Sequence, residues 1–169
     1  MKIYASTLIF DEFLNVLLQF RKKLTKYENH YSLWGGGVKK IDDDPRAGAN
    51  RELNEELEAL VQYIGQDKIK KQLNFVGVFK QTDNNNQSWI EYVYALNVKS
   101  LPEIFNELEE KSLILKVNEN YQVEEGVAQI HDLMDPPEPM IANFSEIMMF
   151  SVYGITPSIP YGQRLEDII

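Results

Sequence analysis

Residues 51–56, Arg-Glu-Leu-Asn-Glu-Glu, place three carboxylates at i, i+3 and i+4. On a helix, Glu52, Glu55 and Glu56 share one face. Like charges at those spacings repel by roughly 0.2–0.5 kcal/mol per exposed pair. A bound divalent cation offsets such repulsion where hard oxygen ligands cluster. An acidic, solvated helix face with no ligand is the competing reading of the same six residues.

Upstream spacing bears on the choice. Gly35-Gly36-Gly37 ends a short aromatic and apolar run; five residues separate Gly37 from Asp43, and seven more separate Asp43 from Arg51. Here the chain resembles the Nudix hydrolase family. Its signature runs Gly, five residues, Glu, seven residues, Arg-Glu, an aliphatic, any residue, Glu-Glu, any residue, Gly, aliphatic. Gly37, Arg51, Glu52, Leu53, Glu55 and Glu56 match it in type and spacing. Asp43 stands where the family has Glu, one methylene shorter. Glu58 replaces the family's second Gly, and Ala59 is a weak form of the closing aliphatic. A pattern this long is far more specific than a lone short motif.

The resemblance implies divalent-metal-dependent hydrolysis of a phosphoanhydride bond, in a nucleoside diphosphate linked to another group. Mg²⁺ or Mn²⁺ is the implied cofactor, with Glu52, Glu55, Glu56 and the Gly36 carbonyl as its protein ligands. Such an ion neutralises a polyphosphate and activates the attacking water. Arg51 sits four residues before Glu55 and is read as a group that fixes a metal-binding carboxylate; a surface ion pair is the plainer alternative. Glu125 precedes Gly126, in the place of the Glu-Gly pair common in the family, and is the candidate general base or further metal ligand, with Glu52 the other catalytic candidate. Glu124 competes directly, Glu91 ranks third, and a plain acidic turn is the alternative to all of them. Arg21, Lys39 and Lys40 flank the glycine loop, and Arg21 is the best placed to meet a substrate phosphate. Trp34, Tyr92, Tyr94 and Phe144 are candidates for stacking on a base, though aromatics in such positions are mostly core.

The elements that would carry these residues follow from local pattern. Residues 3–10 and 14–20 read as buried strands, and residues 31–34 as a short segment before the glycines. Asp44-Pro45 marks a helix start, since Asp caps free amides and Pro suits the first helical position. That helix is expected to run past Leu60 to about Tyr63, with Ala49, Leu53, Leu57 and Leu60 as its apolar stripe and Gly65 as its stop. A basic stretch spans residues 68–71. Strands are expected over 73–81 and 88–98, joined by the polar hairpin loop 83–87. A helix over 102–111, short strands over 113–117 and 121–123, and a closing helix over 140–152 complete the reading, with residues 153–169 an extended tail. Strands around a central helix imply an α/β fold with a mixed sheet between helices. The Nudix α/β/α sandwich has that order, and the whole chain, 1–169, reads as one such domain with its signature box at 37–59.

Composition sets the remaining bounds. The chain has 169 residues, 44% hydrophobic, a formal charge of −9 and no cysteine. Disulfides, thiolate catalysis and zinc–thiolate sites are thereby excluded, as is a diphosphate isomerase of the related fold, which needs a cysteine. The acidic balance disfavours a broad nucleic-acid or membrane surface and an mRNA-decapping role. A small-molecule nucleoside diphosphate derivative is the expected partner, and homodimer formation is left open. No signal-peptide pattern or bilayer-length apolar window occurs, so a cytoplasmic protein is expected. Two alternatives to the nucleotide hydrolase remain: a hydrolase of a non-nucleotide diphosphate, and a catalytically silent Nudix-like nucleotide sensor.

Overall fold

The computed structural model describes residues 1–22, 27–83 and 85–141. Strand β1 (Lys2–Asp11) is the centre of a nine-stranded sheet. It pairs in parallel with β6 (Ser88–Val98) and antiparallel with β2 (Asn15–Arg21) and β4 (Trp34–Gly37). The short β3 (Tyr31–Ser32) lies on β2. Outward from β6 comes β5 (Asn74–Thr82). Outward from β2 come β9 (Gly126–Asp132), β8 (Asn120–Val123) and β7 (Lys116–Val117).

The near-continuous apolar character of β1 and β2 reflects burial on both faces. Alternate side chains divide between two cores. Ala5, Ile9 and Leu17 enter the larger cluster, whereas Leu8, Val16 and Leu18 enter the smaller one. The larger lies under the helices α1 (Pro45–Glu56), α2 (Glu58–Ile64), α3 (Gln66–Gln72) and α4 (Leu101–Glu110). Leu53, Leu60, Ile69 and Phe105 anchor these helices there, each such side chain contributing about 1.5–3 kcal/mol when fully buried. On the opposite face, Leu33, Tyr27, Tyr31, Met140 and Ile141 pack over the smaller cluster. A mixed sheet with helices packed on it is the α/β architecture anticipated; the closing helix and tail lie outside the described residues, save Met140 and Ile141.

Local signals placed α1 well. Asp44 is its N-cap, accepting from the Ala47 amide at 2.7 Å, with Pro45 at the first turn. The helix does not continue through residue 60, however. Leu57 leaves helical geometry at φ −133°, ψ 45°, and a second helix starts at Glu58. The excursion buries the Leu57 side chain while keeping its amide on Leu53 O (2.8 Å) and its carbonyl on the Val61 amide (2.9 Å). Glu58 then opens α2, where a carboxylate suits the positive end of the helix dipole. Gly65, at φ 97°, stops α2 as anticipated.

Two elements were not foreseen. The basic stretch 68–71 lies inside α3, whose one buried residue, Ile69, leaves no apolar period to read. Strand β9 pairs with β2 over seven positions, from Asn15↔Asp132 to Arg21↔Gly126. Its short, mixed sequence carries no clean alternation, so long-range pairing with β2 decides its conformation. The strand expected over 113–117 shrinks to Lys116–Val117. Among the described residues no helix is long and apolar enough to cross a membrane.

Candidate active site

The acidic helix face is set against the glycine strand. In β4, Gly35, Gly36 and Gly37 stand beside Ser6, Ala5 and Tyr4 of β1. The Glu52 carboxylate covers Gly36 so closely that a Cβ there would lie 2.7 Å from both its oxygens. The Gly35 amide donates to Glu56 Oε2 at 3.0 Å. At Gly36 the Glu52 side-chain end leaves no room for a Cβ in this rotamer, whereas at Gly35 it is the β1 backbone, Ala5 O at 2.2 Å, that excludes one.

Arg51 organises the same region. Its guanidinium donates to Glu52 Oε1 at 2.6 Å, Glu55 Oε1 at 3.1 Å and the Gly37 carbonyl at 3.0 Å. It also grips Asp42 bidentately, Nε to Oδ1 at 2.9 Å and Nη2 to Oδ2 at 3.0 Å. The expected Arg51–Glu55 contact is therefore one strand of a larger network. The signature spacing led to Asp43, but Asp43 is exposed and Asp42 takes the internal position. The Lys39 amide also donates to Asp42 Oδ2 at 2.8 Å, closing the loop so that the earlier aspartate faces Arg51. That pair holds the Asp42 carboxyl below its ordinary range, and the carboxylate contacts hold the guanidinium more firmly protonated than usual. Gly48 fits this loop: a Cβ there would meet Asp42 Oδ2 at 3.1 Å.

Glu56 is the electrostatic outlier. Burial first, and the neighbouring Glu52 charge second, push its carboxyl up to about 8 despite the Gly35 amide. Glu52, Glu55, Glu56, Glu124 and Glu125 together line a cavity of about 90 Å³ with Gln19. Gln19 is buried, and its Oε1 has no hydrogen-bond partner among the described residues. As the side chains lie, no three Asp, Glu or His groups among the described residues converge closely enough to hold one metal ion. Arg51 draws Glu52 and Glu55 aside. The donor set nevertheless fits a hard divalent cation: several carboxylates, an orphaned amide oxygen, and a largely buried carboxyl that holds no ion pair among the described residues.

A larger cleft, about 850 Å³, opens over Gly35–Gly37, Glu52, Glu56, Arg21 and Glu125. Glu125 and Arg21, read separately as base and phosphate ligand, form an ion pair here, Arg21 Nη2 to Glu125 Oε2 at 3.3 Å. Strand pairing of β2 with β9 brings them together. Gly126 permits it, because a Cβ there would lie 2.0 Å from the Phe20 carbonyl. Glu124 is exposed and lines only the small acidic cavity. Lys39 reaches Glu55 at 3.7 Å, and Lys40 is exposed.

Glu91 sits deep in the cleft wall, 3% exposed, accepting from Ser6 Oγ and from Trp89 Nε1 at 2.7 Å. The aromatic residues expected at the site divide differently. Trp34 is fully buried with Nε1 donating to Leu17 O, Tyr94 is buried, and Tyr92 packs on the larger core. Phe144 lies outside the described residues. Tyr4, Tyr27 and Trp89 line the cleft instead. The alternation of Trp89 and Glu91 on one strand face was readable in the sequence; Tyr4 joins them only through the parallel pairing of β1 with β6.

Comparisons with known proteins bear on the fold and the family. No curated protein sequence matches the chain significantly. Among solved structures, a MutT NUDIX hydrolase from Burkholderia pseudomallei is similar at 18% identity and TM-score 0.57, covering 88% of this chain and 95% of that one. The MutT protein from Methanosarcina mazei Go1 is similar at 16% identity and TM-score 0.56, over 90% and 94% of the two chains. The NUDIX domain of Shewanella oneidensis NrtR, determined with ADP ribose, is 13% identical with TM-score 0.55, over 89% and 87%. At these identities the likeness is one of fold. The NUDIX domain family model, by contrast, matches residues 2–142, which take in all the strands and helices above and the whole signature. The chain belongs to the NUDIX domain family.

Proposed function

We propose that this Nudix-type pyrophosphohydrolase cleaves a phosphoanhydride bond in a nucleoside diphosphate linked to another group, with Mg²⁺ or Mn²⁺. The observation that carries the reading is the five-carboxylate cavity opening beside the 850 Å³ cleft. Glu52, Glu55, Glu56 and the Gly36 carbonyl would hold the ion. When bound, it supplies charge neutralisation of the phosphates and lowers the pKa of the attacking water.

The chain's own residues supply the rest. Arg51, anchored on Asp42 and Gly37, orients Glu52 and Glu55. Arg21 offers a guanidinium to a phosphate oxygen, and its Nε is buried without a partner among the described residues. A phosphate on Arg21 frees Glu125 from its ion pair, and the released carboxylate accepts the water proton. The NrtR domain bound to ADP ribose makes diphosphates of that kind natural members of a substrate panel.

One observation favours a second reading, a nucleotide-binding sensor without turnover: Arg51 holds both Glu52 and Glu55, and among the described residues no three acidic groups converge closely enough to hold a metal ion. Incubation with Mg²⁺ or Mn²⁺ and a panel of nucleoside triphosphates, nucleotide sugars, ADP ribose and non-nucleotide diphosphates separates the readings. Hydrolysis of a panel member, lost in Glu56→Gln, supports the enzyme. Tight nucleotide binding with no cleavage under either metal supports the sensor.

A further inference from the structure

The end of the cleft away from the acidic cavity has its own chemistry. On β1, Lys2, Tyr4 and Ser6 share the face that Trp89 and Glu91 share on β6, since Lys2↔Trp89 and Tyr4↔Glu91 are register partners. All five residues line the cleft. The Tyr4 and Trp89 rings meet edge to face, centroids 6.2 Å apart, and both are only half-buried. They form an aromatic wall that is open to a planar ring.

Glu91 stands at the base of that wall. It is almost wholly buried and holds no ion pair among the described residues. Two neutral donors, the Ser6 hydroxyl and the Trp89 indole, bond it. A carboxylate has about four acceptor sites, so these two leave capacity for further donors. Burial without a cation is costly unless more hydrogen bonds are made, and it raises the Glu91 carboxyl above its ordinary value. Gly37 also pairs with Tyr4, so Glu91 lies two strand spacings, about 10 Å, from the glycine strand beside the acidic cavity. That separation leaves room for a sugar between a phosphate at one end and a base at the other.

We propose that Glu91 is a specificity-determining acceptor that selects substrates whose base presents two adjacent N–H donors on one edge, as guanine does, stacked on Trp89 and Tyr4. Ser6 and Trp89 are positioning residues that hold its carboxylate. The inference rests on the nucleotide-hydrolase reading for its biological sense, but its test is binding without metal. Guanine presents two adjacent N–H donors, N1–H and its exocyclic amine, to one carboxylate, whereas adenine, hypoxanthine and uracil each offer a single one. The second donor discriminates between bases by about 1–3 kcal/mol, tenfold or more in affinity.

Calorimetry of AMP, GMP, inosine monophosphate and UMP against the metal-free protein measures this directly. GMP should bind at least about tenfold more tightly than AMP, inosine monophosphate and UMP. The chain has two tryptophans, and Trp34 is fully buried, so acrylamide quenching reports on Trp89, and the bound purine should protect it. In Glu91→Gln the preference should fall to within about threefold, with inosine monophosphate binding little changed. Trp89→Phe, which removes only the indole donor and part of the ring, should weaken the preference in the same direction and serves if the first variant misfolds. Equal weakening of all four ligands in Glu91→Gln, no preference in the wild type, or no protection of Trp89 overturns the proposal. Metal-dependent hydrolysis without base preference would sink it while leaving the hydrolase standing. Base preference without hydrolysis would do the reverse.

Discussion

Arg51 and Asp42, nine positions apart in the chain, form a two-point ion pair at 2.9 and 3.0 Å, and the Asp42 side chain is only 4% exposed. This pair ties the loop after the glycine strand to the acidic helix. It also sets the guanidinium that reaches Glu52 and Glu55.

Asp42→Asn should cost about 2–3 kcal/mol, since charge-assisted bonds to a guanidinium contribute about 1.5–3 kcal/mol each. Asp43→Asn, at an exposed site, should stay within about 0.5 kcal/mol. The Asp42 carboxyl is held below its ordinary 3.8, so its stabilisation is fully present above that pH and is lost as pH falls through the lower folded value. Chemical denaturation of both variants and the wild type at pH 7 and pH 3 checks this. Equal losses for Asp42 and Asp43 would mean that Arg51 does not discriminate between them.

Glu56 predicts the opposite pH dependence for the metal-free protein. Its carboxyl is raised from 4.5 to about 8 in the fold, so folding favours the protonated form. That contribution is full below pH 4.5 and is lost as pH rises through about 8. Glu56→Gln should therefore melt higher than the wild type at pH 8.5 in chelator, with the gap closing towards pH 5. Mg²⁺ should raise the melting temperature of the wild type by mass action and leave that of the variant nearly unchanged. A wild-type melting curve flat from pH 5 to 8.5 would contradict the burial argument.

Gly36→Ala tests the close approach at the site. The added Cβ would stand 2.7 Å from the Glu52 carboxylate, and the side chain's free end can swing away at modest cost. Stability should fall by about 1 kcal/mol or less, yet Mn²⁺ affinity should fall at least tenfold, as measured by calorimetry or by paramagnetic relaxation. Unchanged affinity would mean that Glu52 does not hold the ion from this rotamer.

For Glu125, the ion pair with Arg21 makes base and phosphate ligand interdependent. Glu125→Gln should lower kcat by about 10²–10⁴ with little change in KM, and Arg21→Ala should raise KM more than it lowers kcat. Glu124→Gln should leave both within about twofold. Steady-state kinetics on whichever substrate the panel identifies decides the matter, and a defect confined to Glu124 would transfer the role to the neighbouring residue.

Much of this molecule is written locally. Asp44-Pro45 starts α1 because a side-chain acceptor and a fixed φ act within one turn, and Gly65 ends α2 for an equally local reason. The apolar runs of β1 and β2 and the spacing of Arg51, Glu52, Glu55 and Glu56 are likewise properties of short windows, which is why the family and the acidic face were legible without coordinates. Tertiary structure decided the rest. Which aspartate Arg51 takes depends on a loop closing through the Lys39 amide. Leu57 leaves helical geometry with its side chain buried in the core, and no local breaker residue marks the spot. β9 becomes a strand, and Glu125 meets Arg21 across 104 positions, only because β2 offers a free edge in that register. Tyr4, Ser6, Trp89 and Glu91 share one wall for the same reason: a parallel pairing between distant strands fixes which side chains are neighbours, and no periodicity within either strand encodes that register.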